Sequence, residues 1–257
     1  MNILVCIKQI IDPDAKLRIA ESEQALVVDE RTEYRVSEYD LYALEMALLL
    51  REALGEAKID TVSVGPPRIG QALRRAMGMG ADRGCRILSH EGADPDPFAI
   101  GRAIAGFARP RKYDLILAGV QSEDTMQGVV GPMIAAGLEL PCATGVITVS
   151  PMKGGEIEAS RELEGGRRER LAIQLPAVLT IQSGPTKPRY PSLSRMLQAN
   201  RADLASFAIE DFGPAVERQT TICMTYPQPL RACRMLEGSP AEKAGKLRQI
   251  LLERDVL

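Results

Sequence analysis

Tyr113-Asp114-Leu115-Ile116-Leu117-Ala118-Gly119 is the clearest core strand in this 257-residue chain, and it opens into Val120-Gln121-Ser122-Glu123-Asp124-Thr125-Met126-Gln127-Gly128-Val129-Val130-Gly131-Pro132. From Leu115 to Ala118 the strand is apolar without alternation, the pattern of a strand covered on both faces in a parallel sheet. The loop that follows is polar and glycine-bearing, and an apolar helix is expected over 133–138. Such a strand-loop-helix unit offers backbone N–H groups and the positive end of a helix dipole to an anion. An ordinary connection with capping polar residues looks the same, so the loop alone leaves both readings open.

Toward the N-terminus the same unit recurs. Ile3-Leu4-Val5-Cys6-Ile7 reads as a first buried strand, and 16–28 as an excursion with a hairpin. Leu41, Leu44, Glu45, Ala47, Leu48 and Leu49 fall at helical spacing, with Ser37 or Asp40 placed to cap a helix over 38–54. A strand over 60–64 stops at Gly65-Pro66-Pro67, where proline forbids further ladder bonds. A helix through Ile69, Ala72, Leu73 and Met77, a strand over 84–88 and a helix over 97–108 complete the series. Strand and helix alternate with short connections, which predicts a doubly wound, mostly parallel α/β sheet of Rossmann-like type over roughly the first 150 residues. Ligands of such sheets bind outside the carboxyl ends of the strands, where the loops after Cys6, Val64 and Gly119 would meet.

Downstream the pattern changes. Strands over 146–149, 157–161, 168–174 and 177–181, punctuated by Gly154-Gly155 and Gly165-Gly166, predict an antiparallel flap at about 145–182. From Ala199 core signals thin out among Pro214, Pro227, Pro229 and Pro240, and only 241–252 carries a helical stripe, in Ala244, Leu247, Ile250 and Leu251. The expected division is a nucleotide-binding domain over 1–198 and an extension over 199–257 that lies on another surface, of this chain or of a partner.

Composition narrows the function classes. With 45% hydrophobic and 26% charged residues and a net charge of −2, no stretch approaches the ~20 apolar residues of a membrane helix. The first strand follows Met1 and Asn2 directly, so no secretory signal is expected and the cytoplasm is the expected compartment. Basic residues are scattered, which leaves no footprint for nucleic acid. Five cysteines, Cys6, Cys85, Cys142, Cys223 and Cys233, at irregular spacing and a single histidine argue against zinc sites and disulfides and for reduced, mostly buried thiols. That histidine, His90, reads as a solvated loop residue. No G-x-G-x-x-G, Walker loop or G-x-S-x-G is present.

Taken in order, Val5-Cys6-Ile7-Lys8-Gln9-Ile10, 37–47, Val62-Ser63-Val64-Gly65-Pro66, Met79-Gly80-Ala81-Asp82-Arg83-Gly84, the 119–132 loop, Leu175-Pro176-Ala177-Val178 and Lys187-Pro188-Arg189-Tyr190-Pro191-Ser192-Leu193 resemble the β (small) subunit of electron transfer flavoproteins over nearly the whole chain. The resemblance implies an electron carrier and not a stand-alone catalyst. It implies a heterodimer whose α subunit makes most contacts to FAD, while the β subunit holds AMP or, in bifurcating members, a second FAD. Flavin-dependent dehydrogenases, such as acyl-CoA dehydrogenases, would donate electrons, and a membrane-linked acceptor would receive them. By matching positions the nucleotide would contact Cys6, Ser37, Glu38, Tyr39, Asp40, Val64, Gly119, Gln121, Ser122, Asp124, Thr125, Met126, Gln127, Gly128, Val129 and Val130. Tyr39 also matches an aromatic near the flavin. A partner-recognition loop at about 184–198 would dock dehydrogenases through Tyr190, Leu193 and Met196, with Leu193 as the anchor.

The chain departs from the family pattern at Ser37 (commonly Asn), Glu38 (commonly Pro), Val129 (commonly Gln) and Glu123, an added carboxylate. These changes remove amide donors and add negative charge. On the residues alone, two other classes use the same fold. A nucleotide sensor of universal-stress type accounts for the sheet and loop but not for the flap or tail. A nucleotide-dependent ligase or hydrolase needs a metal-binding acid cluster, for which Glu123-Asp124 is a poor candidate.

Overall fold

The structure, a computed structural model, describes residues 1–89, 95–214, 218–227, 233 and 235–256. Strand β1 (Asn2–Cys6) leads into β2 (Gln9–Ile11) and β3 (Tyr34–Val36), then α1 (Glu38–Leu54), β4 (Lys58–Gly65), α2 (Gly70–Met79), β5 (Arg83–Leu88) and α3 (Pro97–Ala108). The second half runs β6 (Leu115–Gly119), α4 (Val130–Leu138), β7 (Cys142–Pro151), β8 (Glu156–Glu162), β9 (Arg168–Gln174), β10 (Ala177–Ile181), α5 (Leu193–Arg201), β11 (Ala205–Ala208) and α6 (Pro240–Glu253).

Because β1, β6 and β10 are mostly apolar and buried at nearly every position, each needs a strand on both sides and helices on both faces. One nine-stranded sheet, in the order β11-β5-β4-β1-β6-β10-β7-β8-β9, provides the first. The second comes from α1 and α2, whose Leu44, Leu48 and Leu73 close one face, and from α3 and α4, whose Ile104, Phe107 and Ile134 close the other. This is the mostly parallel, doubly wound α/β fold expected. Between β1 and β6 the strand order reverses direction, which makes the crevice at their carboxyl ends a topological switch point.

Several expectations change. The strand over 177–181 does not belong to an antiparallel flap: β10 pairs parallel with both β6 and β7 and is buried at every position. Its uninterrupted Ala-Val-Leu-Thr-Ile run demands that central place, and only β7, β8 and β9 pair antiparallel, as an extension of the same sheet. The boundary at 198 falls inside α5, and β11 then joins the sheet parallel to β5. Phe207 and Phe212 stack edge-on against Phe107 of α3, so the first part of the expected extension is core. The excursion after β1 closes on β2 and β3, which pair antiparallel, with an isolated bridge between Ile19 and Leu26. All five cysteines are free, but only Cys6 and Cys85 are buried. His90 lies outside the described residues.

The sheet's two outer strands differ from its middle. In β9 Arg168 pairs with Glu162 and Glu169 with Arg161 on β8, while β11 spans only four residues. Among the described residues no helix is long and apolar enough to cross a membrane. Helix α6 carries a capping box of Ser239 and Glu242, yet none of its residues is buried against this chain.

Candidate functional site

At the switch point one side chain ties the loops together. Asp40, in the first turn of α1, accepts the N–H of Lys8 at 2.7 Å and the N–H of Gly119 at 2.8 Å. It therefore bridges the exits of β1 and β6. Burial pushes its carboxyl up to about 7, against the opposing pull of the two amide donors and the Lys8 charge. Glycine at 119 is required by this closeness, since a Cβ there would lie 2.6 Å from Asp40 Oδ1 and 2.8 Å from Tyr39 Cβ. Gly131 is likewise a packing glycine, its Cβ position being 2.2 Å from Thr180 Cγ2. On the residues alone the Gly-bearing loop is open as an anion cradle or an ordinary capped connection, and at these two positions the glycines serve internal close packing.

Loop 119–130 is closed by ion pairs. Lys8 Nζ reaches Asp124 Oδ1 at 2.7 Å and Ser122 Oγ at 3.1 Å. Burial works against the Asp124 carboxylate, but the Lys8 ammonium and hydrogen bonds from Ser122 and Thr125 hold its carboxyl below the usual range. Glu123 accepts from Arg35 at 3.2 Å and from the Glu38 N–H, the first amide of α1, at 3.1 and 3.2 Å to its two oxygens. Ser37, the N-cap, makes no side-chain cap bond, and its buried Oγ has no partner among the described residues. Burial, with Asp40 adding to it, raises the Cys6 thiol, so Cys6 stays protonated. Val64 lies at the end of β4 beside these loops, and Tyr39, Gln121, Val129 and Val130 are half-buried. Met126 is exposed with a left-handed backbone, as is the backbone of Gly128. Arg35, Lys8 and the reach of Glu123 to α1 are absent from the sequence-based site.

The tail crosses this same edge. Asp96, the N-cap of α3, accepts the N–H of Ala99 at 2.7 Å and also those of Arg218 and Gln219. The Arg218 guanidinium lies 4.3 Å from the Phe98 ring centre. Gln219 then takes a 2.9 Å hydrogen bond from Gln127, and beyond it Tyr226 Oη accepts the Ile19 N–H at 2.9 Å. Among the described residues no group of His, Cys, Asp and Glu could hold a metal ion.

A second region stands apart, before and at α5. Tyr190 is 91% and Leu193 78% exposed. Residue 193 is not in a loop but is the first residue of α5, capped by Ser192, which accepts the Arg195 N–H. Met196, three residues on, turns inward: a Cβ on Gly78 would meet its sulfur at 2.2 Å, so Met196 fills a notch in α2 and does not join the exposed pair. Leu197 does. Behind them Arg189 donates to both oxygens of Glu45 at 2.7–3.0 Å through its guanidinium, and its backbone N–H adds a 3.0 Å bond. It also reaches Glu52 at 2.7 Å. Glu45 sits on the buried face of α1 with only 5% of its side chain accessible. A glutamate inside the apolar 43–50 stripe is the signal that marks a paired cation elsewhere in the chain.

Comparison with known proteins gives the family. The electron transfer flavoprotein domain family matches residues 25–211. The chain is 33% identical to the electron transfer flavoprotein subunit beta of Bacillus subtilis (strain 168) over 256 residues, covering 98% of this chain and 97% of the relative. It is 34% identical to the subunit beta of Methylophilus methylotrophus, covering 98% of each, and 28% identical to that of Sus scrofa, covering 97% and 98%. A switch-point edge, a capped helix presenting Leu193 and a full-length likeness to these subunits lead to one assignment: the chain belongs to the electron transfer flavoprotein β-subunit family.

Proposed function

We propose that this chain pairs with an α subunit, takes an adenine nucleotide (AMP or a second FAD) at the carboxyl edge of its sheet, and docks flavin-dependent dehydrogenases through Tyr190 and Leu193. Electrons then pass through the FAD held mainly by the α subunit to a membrane-linked acceptor. The observation that carries the docking part is the exposure of Leu193 on a helix whose approach is fixed from behind by the Glu45–Arg189 pair. An apolar side chain kept in water by a rigid backing is what a partner pocket selects. Helix α6, with no residue buried and Leu247 and Leu252 exposed, supports an α-subunit surface as its cover.

FAD supplies the redox chemistry, and the protein's part is binding, orientation and electrostatics. For the nucleotide the fit is uneven. The unpartnered, buried Ser37 Oγ and Gln127 Oε1 suit the polar edge of a nucleoside. Toward a phosphate, Lys8 and Arg35, which reach the loop, are already paired with Asp124 and Glu123. The test is co-expression with the α subunit, followed by a visible spectrum, extraction of bound nucleotide and reduction by a dehydrogenase. A yellow heterodimer that accepts electrons is the expected result, and a colourless homodimer would return the sensor reading.

A further inference from the structure

We propose that Glu123 sets the ligand preference of the sheet-edge site by acting as a tethered anion where a nucleotide phosphate would otherwise be drawn. The inference rests on the reading that this edge takes an adenine nucleotide, and it concerns which part of that nucleotide the site can hold. The N-terminus of α1, a helix of 17 residues, carries the partial positive charge and free amides that favour an anion. Glu123, 85 residues away in sequence, supplies that anion from within the chain, with both carboxylate oxygens on the Glu38 N–H. The capping residue proper contributes nothing, since Ser37 makes no side-chain cap bond.

The same carboxylate also takes the Arg35 guanidinium, which lies 3.9 Å from Asp12 as well. Lys8, which also reaches this loop, is held by Asp124 and Ser122. The Glu123 side chain is only 16% accessible, so water screens its charge poorly. A phosphate drawn to the N-terminus of α1 would have to displace Glu123 from the Glu38 N–H and Arg35 or sit beside it, and either route is unfavourable. Toward the nucleoside part, Ser37 Oγ and Gln127 Oε1 are left without partners among the described residues.

The measurement is AMP and adenosine titration, by calorimetry, of the FAD-loaded heterodimer after bound nucleotide has been dialysed away. In the unaltered protein AMP is expected to bind less than about tenfold more tightly than adenosine. Glu123→Gln keeps the side-chain shape and can still accept the Glu38 N–H, but it removes the charge and frees Arg35. AMP affinity should then rise about tenfold or more, with adenosine changed less than about twofold. Arg35→Met in the unaltered chain should leave AMP affinity within about twofold, and added to Glu123→Gln it should cancel most of the gain.

An unchanged or lower AMP-to-adenosine ratio in Glu123→Gln overturns the proposal. So does a heterodimer that keeps stoichiometric AMP, or a second FAD, through dialysis. If Glu123→Gln does not fold, a tenfold loss of AMP affinity in Arg35→Met has the same force. FAD content is measured first: a heterodimer that holds FAD but fails these tests loses only the Glu123 assignment, whereas a chain that never assembles with FAD loses the underlying reading and this inference with it.

Discussion

At the carboxyl edge of the sheet Lys8 pairs with Asp124 and Arg35 with Glu123, and a buried carboxyl, Asp40, fastens the loops beneath them. At the start of α5 the arrangement is reversed: Tyr190 and Leu193 stand in water while the charges, Arg189, Glu45 and Glu52, are set behind them. The first region turns its polar groups inward and has little electrostatic force left for a ligand. The second keeps its electrostatics for positioning and offers the outside an apolar surface. Recognition should therefore be governed by displacement at the edge and by burial at α5.

The strongest way to break this contrast is to remove the backing. Arg189→Ala leaves Glu45 buried and unpaired, and loss of one partner of a buried pair costs about 3–5 kcal/mol. A fall in melting temperature of roughly 6–20 °C is expected, and a fall of under about 2 °C would mean that the pair positions nothing.

The edge can be probed by pH. Asp40 holds its proton up to about 7 when folded, against about 3.9 in the unfolded chain. Between those values the folded state carries the extra proton. The stabilisation is full below about pH 4, falls by up to about 1.4 kcal/mol per pH unit as pH rises, and is gone above about 7. Asp40→Asn should lack this slope, so that it appears in the difference between the two stability curves, measured by urea unfolding at each pH.

Leu193→Ala sharpens the other side. Burial of a leucine in a partner pocket contributes about 1.5–3 kcal/mol, so dehydrogenase binding should weaken roughly ten- to a hundred-fold. Because the side chain is exposed, the melting temperature should move by less than about 2 °C. A large loss of melting temperature would make Leu193 structural after all. The smallest effect is expected for Lys8→Met, whose half-exposed pair with Asp124 should contribute no more than about 1 kcal/mol. A much larger loss would mean that the loop is not closed by several contacts in parallel.

Much of this fold was legible. The helices over 38–54 and 97–108 match α1 and α3 because their apolar spacing is regular and each begins at a recognisable boundary, Ser37 or Asp96-Pro97. Strands β2 and β3 escaped notice because three residues carry no periodicity. In β11, Ala-Ser-Phe-Ala becomes a strand only through its pairing with β5. Paired glycines pointed to hairpins, and that local signal drew β10 into the flap against its own unbroken apolar run. The loops singled out by the resemblance do meet at the carboxyl edge of the sheet, where Asp40 accepts from residues 8 and 119. What they do there depends on contacts such as Glu123 to Glu38 and Arg189 to Glu45, 85 and 144 residues apart, which no local pattern encodes.

The two rims of the sheet bear on the life of the subunit before it meets a partner. A strand edge is a template on which another chain can grow, and unprotected edges lead to fibres. Here one rim is too short to seed growth, and the other is studded with alternating Arg168, Glu169 and Arg170, two of them already paired across to β8. On α5 and α6 the uncovered apolar residues Leu193, Leu197, Leu247 and Leu252 adhere by side chains and leave no backbone ladder to extend. A newly made chain should therefore err by reversible clumping, from which the arrival of an α subunit can rescue it, and not by conversion to amyloid.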